Sequence, residues 1–210
     1  MRIFSILLLS LSLYANGLVT HITDVLGNVI ATKAYLKKGI SGIVLCPYEK
    51  EKIICARCVS AGENRAVLYS YKALKNDAFA LPVVFPKKND EVIFGKNYKR
   101  IAIIAPNLQT YLKLKKRFST FTVIPVDVLG AFLEDEPKRA DFINFAKKMD
   151  IGMYIFALDK LYEVDALSFY AINEEDFSFK GKFKLPFYTS YNFDFDIKNP
   201  IKYYKSMIKE

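Results

Sequence analysis

Histidine is nearly absent from this 210-residue sequence, which has one copy, His21. A hydrolase-type triad or a histidine-rich metal site would have to be centred on it. It lies just past the apolar start of the chain, in a segment expected to fray, and reads as a surface histidine rather than a base. Glycine is missing where a phosphate would need it. The turn Ala105-Pro106-Asn107 follows an apolar run, as nucleotide loops do, yet offers no glycine for close approach. Gly95-Lys96-Asn97 lacks both the preceding glycine and the Ser or Thr of a phosphate loop. No catalytic residue, bound metal or cofactor is expected, and the chain reads as a non-enzyme. No apolar run approaches the roughly 20 residues of a membrane span, and 9 Gly with 8 Pro against 52% apolar residues excludes disorder along the whole chain.

The net charge is +9, but the basic residues are scattered among carboxylates. A nucleic-acid protein would gather them on one face or arm, so no nucleic-acid partner is expected. The start has the order of a secretory signal peptide: Arg2, an apolar stretch over 3–13, then Tyr14-Ala15-Asn16-Gly17. Cleavage is expected after Ala15 or Gly17. No Cys follows until Cys46, so a lipid-bearing Cys is missing, and the mature chain is expected to be periplasmic or exported beyond.

From 18 to about 98 the pattern is short strands rich in Val, Ile and Tyr, broken by turns at Gly27-Asn28, Lys38-Gly39, 47–52, Gly62-Glu63-Asn64 and 86–90. Regular spacing of this kind predicts a small antiparallel barrel. The texture changes near Arg100. Apolar runs at 101–105, 121–126 and 151–158 read as buried strands. They alternate with a helix after the N-cap Asn107 whose Leu108, Tyr111, Leu112 and Phe118 share one face, a short helix over 127–133, and a helix opened by Pro137 that carries Phe142, Phe145, Ala146 and Met149. A short parallel sheet with right-handed crossovers follows, with antiparallel edge strands at 161–172 and 177–185 and a terminal helix over 200–209. The fold class is therefore α+β: a signal peptide (1–17), a β-rich domain (18–98) and an α/β domain (99–210).

Cys55-Ala-Arg-Cys58 matches a redox or metal motif, but 53–59 reads as a strand. Residues three apart in a strand point to opposite faces about 10 Å apart, too far for a bond or a shared metal. In an oxidising compartment, Cys46 is expected to face Cys55 across the 47–52 turn, on the same rung; a disulfide that leaves Cys58 buried and three buried thiols both remain open. Glu134-Asp135-Glu136 precedes a helix and suits its dipole. Lys113, Lys115, Lys116 and Arg117 form the densest basic cluster, either a solvated helix face or a contact for an acidic protein surface or for anionic polymers. Residues 177–195 are dense in aromatics, with Tyr188 and Tyr191 among those suited to an interface.

The blocks Leu36-Lys-Lys-Gly-Ile-Ser-Gly-Ile-Val-Leu45, 53–74, Leu81-Pro-Val-Val-Phe-Pro-Lys-Lys-Asn-Asp-Glu-Val-Ile-Phe94, Ile103-Ile-Ala-Pro-Asn107, Asp127-Val-Leu-Gly-Ala-Phe-Leu133 and Ile151-Gly-Met-Tyr-Ile-Phe156, taken in order, resemble the N-terminal domain of the plasminogen-binding PgbA family of epsilonproteobacteria. The resemblance implies two roles. One is a periplasmic scaffold among other flagellar motor proteins, an accessory of the motor's disk structures needed for motility. The other is an adhesin-like exported protein whose partner is plasminogen.

Overall fold

A computed structural model describes residues 17–70 and 84–210; all but the last residue of the signal peptide expected over 1–17, and its expected cleavage after Ala15, lie outside the described residues. The chain divides into two compact units, Met1–Lys96 and Asn97–Glu210, and the fold is α+β.

The first unit is a closed antiparallel barrel of β1 (Leu18–Leu26), β2 (Val29–Leu36), β3 (Ser41–Tyr48), β4 (Glu51–Ser70) and β5 (Glu91–Phe94), in the order β1-β2-β4-β3-β5, with β5 joined back to β1. Every second residue turns inward, as strand geometry requires. Ile22, Ile30, Val44, Cys46, Ala56, Cys58, Ala66, Val92 and Phe94 are fully or almost fully buried. Where β3 meets β5, a Cβ on Gly42 would stand 2.8 Å from Ile93 O and 2.9 Å from the Phe94 ring. Only glycine allows that approach.

Three sequence expectations are corrected in this unit. The turn expected at Gly62-Glu63-Asn64 is instead a bend within one 20-residue strand. Gly62 and Glu63 take φ of 99° and 54°, which redirects β4 from its partner β3 to its partner β2. His21 does not lie in a fraying segment, because β1 is held by β2 on one side and β5 on the other; His21 itself stands opposite Glu91. Cys46 is not on the same rung as Cys55. The ladder runs Val44↔Ala56, Leu45↔Ile54, Cys46↔Ile53, which leaves Cys55 as the extra residue of a bulge. The bulge brings it diagonally beside Cys46, to which it is disulfide-bonded with Cα atoms 5.7 Å apart. Cys58 stays free and buried, and burial pushes its thiol up to about 12.

The second unit is built on β6 (Arg100–Ile104), α1 (Leu108–Arg117), β7 (Thr122–Val123), α2 (Asp127–Gly130), α3 (Arg139–Met149), β8 (Met153–Ala157), β9 (Lys160–Asp165), β10 (Ala171–Asp176) and α4 (Pro200–Lys205). The sheet order is β10-β9-β8-β6-β7; β7, β6 and β8 are parallel, and β9 and β10 are antiparallel additions. Asn107 caps α1 by accepting from Thr110 N at 3.0 Å. Pro137 falls just before the cap of α3 rather than within its first turn, and Asp141 reaches back to Lys138 N at 2.7 Å. One sheet face packs on α3 and α4 around Phe142, whose ring lies 5.5–6.2 Å from those of Tyr154, Phe156, Phe169, Phe187 and Tyr204.

The ladder of β7 is shorter than the expected 121–126, as Pro125 has no N–H to donate. The strand expected over 161–172 is two strands. Asp165 Oδ1 accepts from Leu167 N and Ser168 N at 3.0 and 2.7 Å, and Phe169 takes a positive φ of 63°, so the chain reverses without glycine. The strand expected over 177–185 is absent, and that segment is irregular. On α1 the buried residues are Thr110 and Leu114, followed by Phe118. The expected buried face is therefore turned, and Leu108 and Leu112 are left exposed.

The Cys46–Cys55 bond closes a short loop, and its loss should cost about 2–3 kcal/mol through the greater freedom of the unfolded chain. Thermal or urea unfolding of a Cys46→Ala, Cys55→Ala variant is expected to show that loss while the Cys58→Ala variant keeps the bond. An unchanged midpoint for the double variant would contradict it.

Candidate functional site

Open α/β sheets hold ligands beyond the carboxyl ends of their strands, where neighbouring connections leave in opposite directions. Here that place lies between β6, whose chain turns toward β7, and β8, whose chain turns toward β9. The chain itself fills it. Tyr188 N donates to Ala105 O and Lys184 N to Pro106 O, both at 2.7 Å, immediately after β6. Asn107 Nδ2 donates to Lys180 O at 3.0 Å. Phe187 and Thr189 are fully buried, and Tyr204 OH, held in the core, donates to Pro186 O at 2.6 Å. Lys184 Nζ donates to Thr189 O, closing the segment on itself.

Beyond β7, Asp127 fastens the far end of this strap. Its Oδ1 accepts from Thr189 Oγ1 at 2.8 Å and from Ser190 N at 2.5 Å. Partial burial pushes the Asp127 carboxyl up, but these hydrogen bonds outweigh it and hold the group below its ordinary value. Beyond β8, Lys205 pairs with Asp159 at 2.6 Å, and Tyr162 OH donates to the same carboxylate at 3.1 Å. Both the Asp159 hydrogen bond and that of Tyr162 raise the Lys205 ammonium.

The residues singled out from the sequence do not converge on one point. Tyr188 is half-buried, with its ring 5.4 Å from Tyr111 and Lys184 Nζ 5.9 Å above it. Tyr191 is exposed and lies with Phe193 against Gly130 of α2, where an added Cβ would meet both rings within 3.5 Å. Lys113, Lys115 and Lys116 are exposed on α1. Arg117 differs from them: both its terminal nitrogens hold the Glu175 carboxylate, which raises its guanidinium further, and it lies over the Phe118 ring. Among the described residues no three His, Cys, Asp or Glu side chains are gathered to hold a metal ion.

Sequence reasoning missed Glu163. It sits on β9 among β8 and β10 neighbours, 3% exposed. Burial raises its carboxyl to about 7, aided by Glu175 and opposed by a hydrogen bond to Asn173 and by Arg117. Among the described residues its Oε1 has no hydrogen-bond partner. The run Lys160-Leu-Tyr-Glu-Val-Asp165 carries no sign of this, since an acid between apolar residues in a strand ordinarily faces solvent.

A barrel followed by an α/β unit whose crevice is packed with its own chain defines a two-unit α+β protein. The profile of the family described as plasminogen-binding protein pgbA N-terminal matches residues 18–200, and the chain belongs to that family. No curated protein matches the chain, and no solved structure does.

The raised Glu163 carboxyl makes stability depend on pH. The folded state binds this proton more tightly than the unfolded one, so the contribution is fully present below about pH 4.5 and is lost as pH rises through about 7. Between pH 5 and pH 8 the loss should be about 2–3 kcal/mol. Glu163→Gln is expected to flatten that slope in urea titrations and to be the more stable form at pH 8; an identical slope in both forms would contradict this.

Proposed function

We propose that the chain is an exported, non-enzymatic protein-binding module whose partner is plasminogen. The observation that carries the reading is the family membership over residues 18–200, the family being described by plasminogen binding. Two features of the chain support it. The place where an α/β unit would hold a small substrate is filled by Phe187, Thr189 and their neighbours. The outer surface carries exposed lysines, such as Lys115 and Lys116, and exposed aromatic or aliphatic side chains, among them Phe132 and Tyr191, the kinds of group that supply protein contacts. Arg2 followed by the apolar stretch 3–13 supports export. The role in motor-disk assembly has no observation of its own in the fold or the family match, and it gives way to plasminogen binding.

Immobilised full chain is expected to bind plasminogen saturably, with free lysine competing, and material recovered from the periplasm should begin at Asn16 or Leu18. Absence of saturable binding, or an intact Met1 on exported protein, would overturn the corresponding half of the reading.

A further inference from the structure

The outward side of α1 has a composition that the sheet does not use. Leu108 and Leu112 are 47% and 54% exposed. They are four residues apart, and Lys115 and Lys116 continue the same stripe one turn further on, since positions i, i+4, i+7 and i+8 share a helix face. The buried side of the helix is fixed by Thr110 and Leu114. The helix over 108–117, Leu-Gln-Thr-Tyr-Leu-Lys-Leu-Lys-Lys-Arg, contains no acidic residue.

Arg117 spends its charge on Glu175, and Lys113 lies over the Phe177 ring at 5.9 Å. No ion pair among the described residues uses Lys115 or Lys116. The surface therefore presents two leucines beside two ammonium groups that nothing described neutralises. We infer that the Leu108, Leu112, Lys115 and Lys116 stripe of α1 is the docking surface for an acidic protein face, one that offers carboxylates to the lysines and an apolar contact to the leucines.

Charge decides between occupants. A second copy of this chain meeting the stripe face to face would set lysines against lysines, and like charges across an interface oppose association. A partner bearing carboxylates gains from the same geometry. The leucines supply the desolvated contact that resists dissociation, and the lysines steer the approach and make it sensitive to salt.

The inference rests on the plasminogen reading and names the surface through which it would act, so plasminogen is the probe. Full chain, a Leu108→Ser, Leu112→Ser variant and a Lys115→Glu, Lys116→Glu variant are compared by surface plasmon resonance at low and moderate salt. The control Lys87→Glu, Lys88→Glu changes charge equally on the exposed turn before β5. Circular dichroism checks the fold, and Lys115→Gln, Lys116→Gln replaces the reversal if that variant does not fold.

At least tenfold weaker binding is expected for each α1 variant, through faster dissociation for the leucine pair and slower, less salt-dependent association for the lysine pair, with the control unchanged. Full binding by both α1 variants overturns the surface and leaves the plasminogen reading standing. No binding by the unmodified chain overturns that reading and this surface with it. Sedimentation showing a dimer that the α1 variants dissolve, or phosphatidylglycerol vesicles that the full chain binds and the α1 variants do not, while plasminogen binding is unaffected, also overturns it.

Discussion

The hydrogen bonds that lay residues 184–190 along the end of β6 are the contacts on which the second unit depends. The carbonyls of Ala105 and Pro106 would otherwise point out of the sheet without partners, in the one place where a parallel arrangement leaves a gap. Once the strap satisfies them, Phe187 completes the aromatic packing around Phe142, and Pro186 O becomes the acceptor for the buried Tyr204 hydroxyl. That bond in turn fixes α4, whose Lys205 reaches Asp159 beyond β8. Asp127 holds the strap at its other end through a carboxylate that stays ionised because it accepts hydrogen bonds.

The strap fills the crevice with the chain's own residues, Phe187 and Thr189 among them. Among the described residues the barrel closes on itself, since β5 returns to β1. In the second unit, β10 forms one edge of the sheet and carries Glu174, Glu175 and Asp176, charges that discourage strand addition. The outer stripe of α1 exposes Leu108 and Leu112 beside Lys115 and Lys116, which no ion pair among the described residues uses.

Much of this was legible in the sequence. Short runs rich in Val, Ile and Tyr between regularly spaced turns in 18–98 lead to a barrel, and the buried runs at 101–105 and 151–158 lead to a parallel sheet because both faces of such strands are covered. Asn107 was readable as a cap, and Cys46 as a neighbour of Cys55. The rest depended on long-range contacts. The bend at Gly62 looks like a turn until β2 and β3 are both seen to need one strand between them. The bulge at Cys55 leaves no trace in composition. Residues 177–185 alternate like a strand, but their partners are loop carbonyls after β6 rather than a ladder. The turn of α1 that exposes Leu108 and Leu112 is set by Thr110 and Leu114, and periodicity alone could not choose between two apolar stripes that overlap. The buried Glu163 was invisible because its surroundings come from three strands and a helix.

The central claim is that the crevice of the second unit stays filled by its own chain while a partner is engaged on the outer face of α1. Hydrogen exchange of the full chain, read by mass spectrometry with and without plasminogen, tests it directly. The account expects the amides of Lys184 and Tyr188 to be protected in both states, and peptides spanning 108–117 to gain protection when plasminogen is present. Rapid exchange at Lys184 and Tyr188, or their release on binding with no change over 108–117, would contradict it.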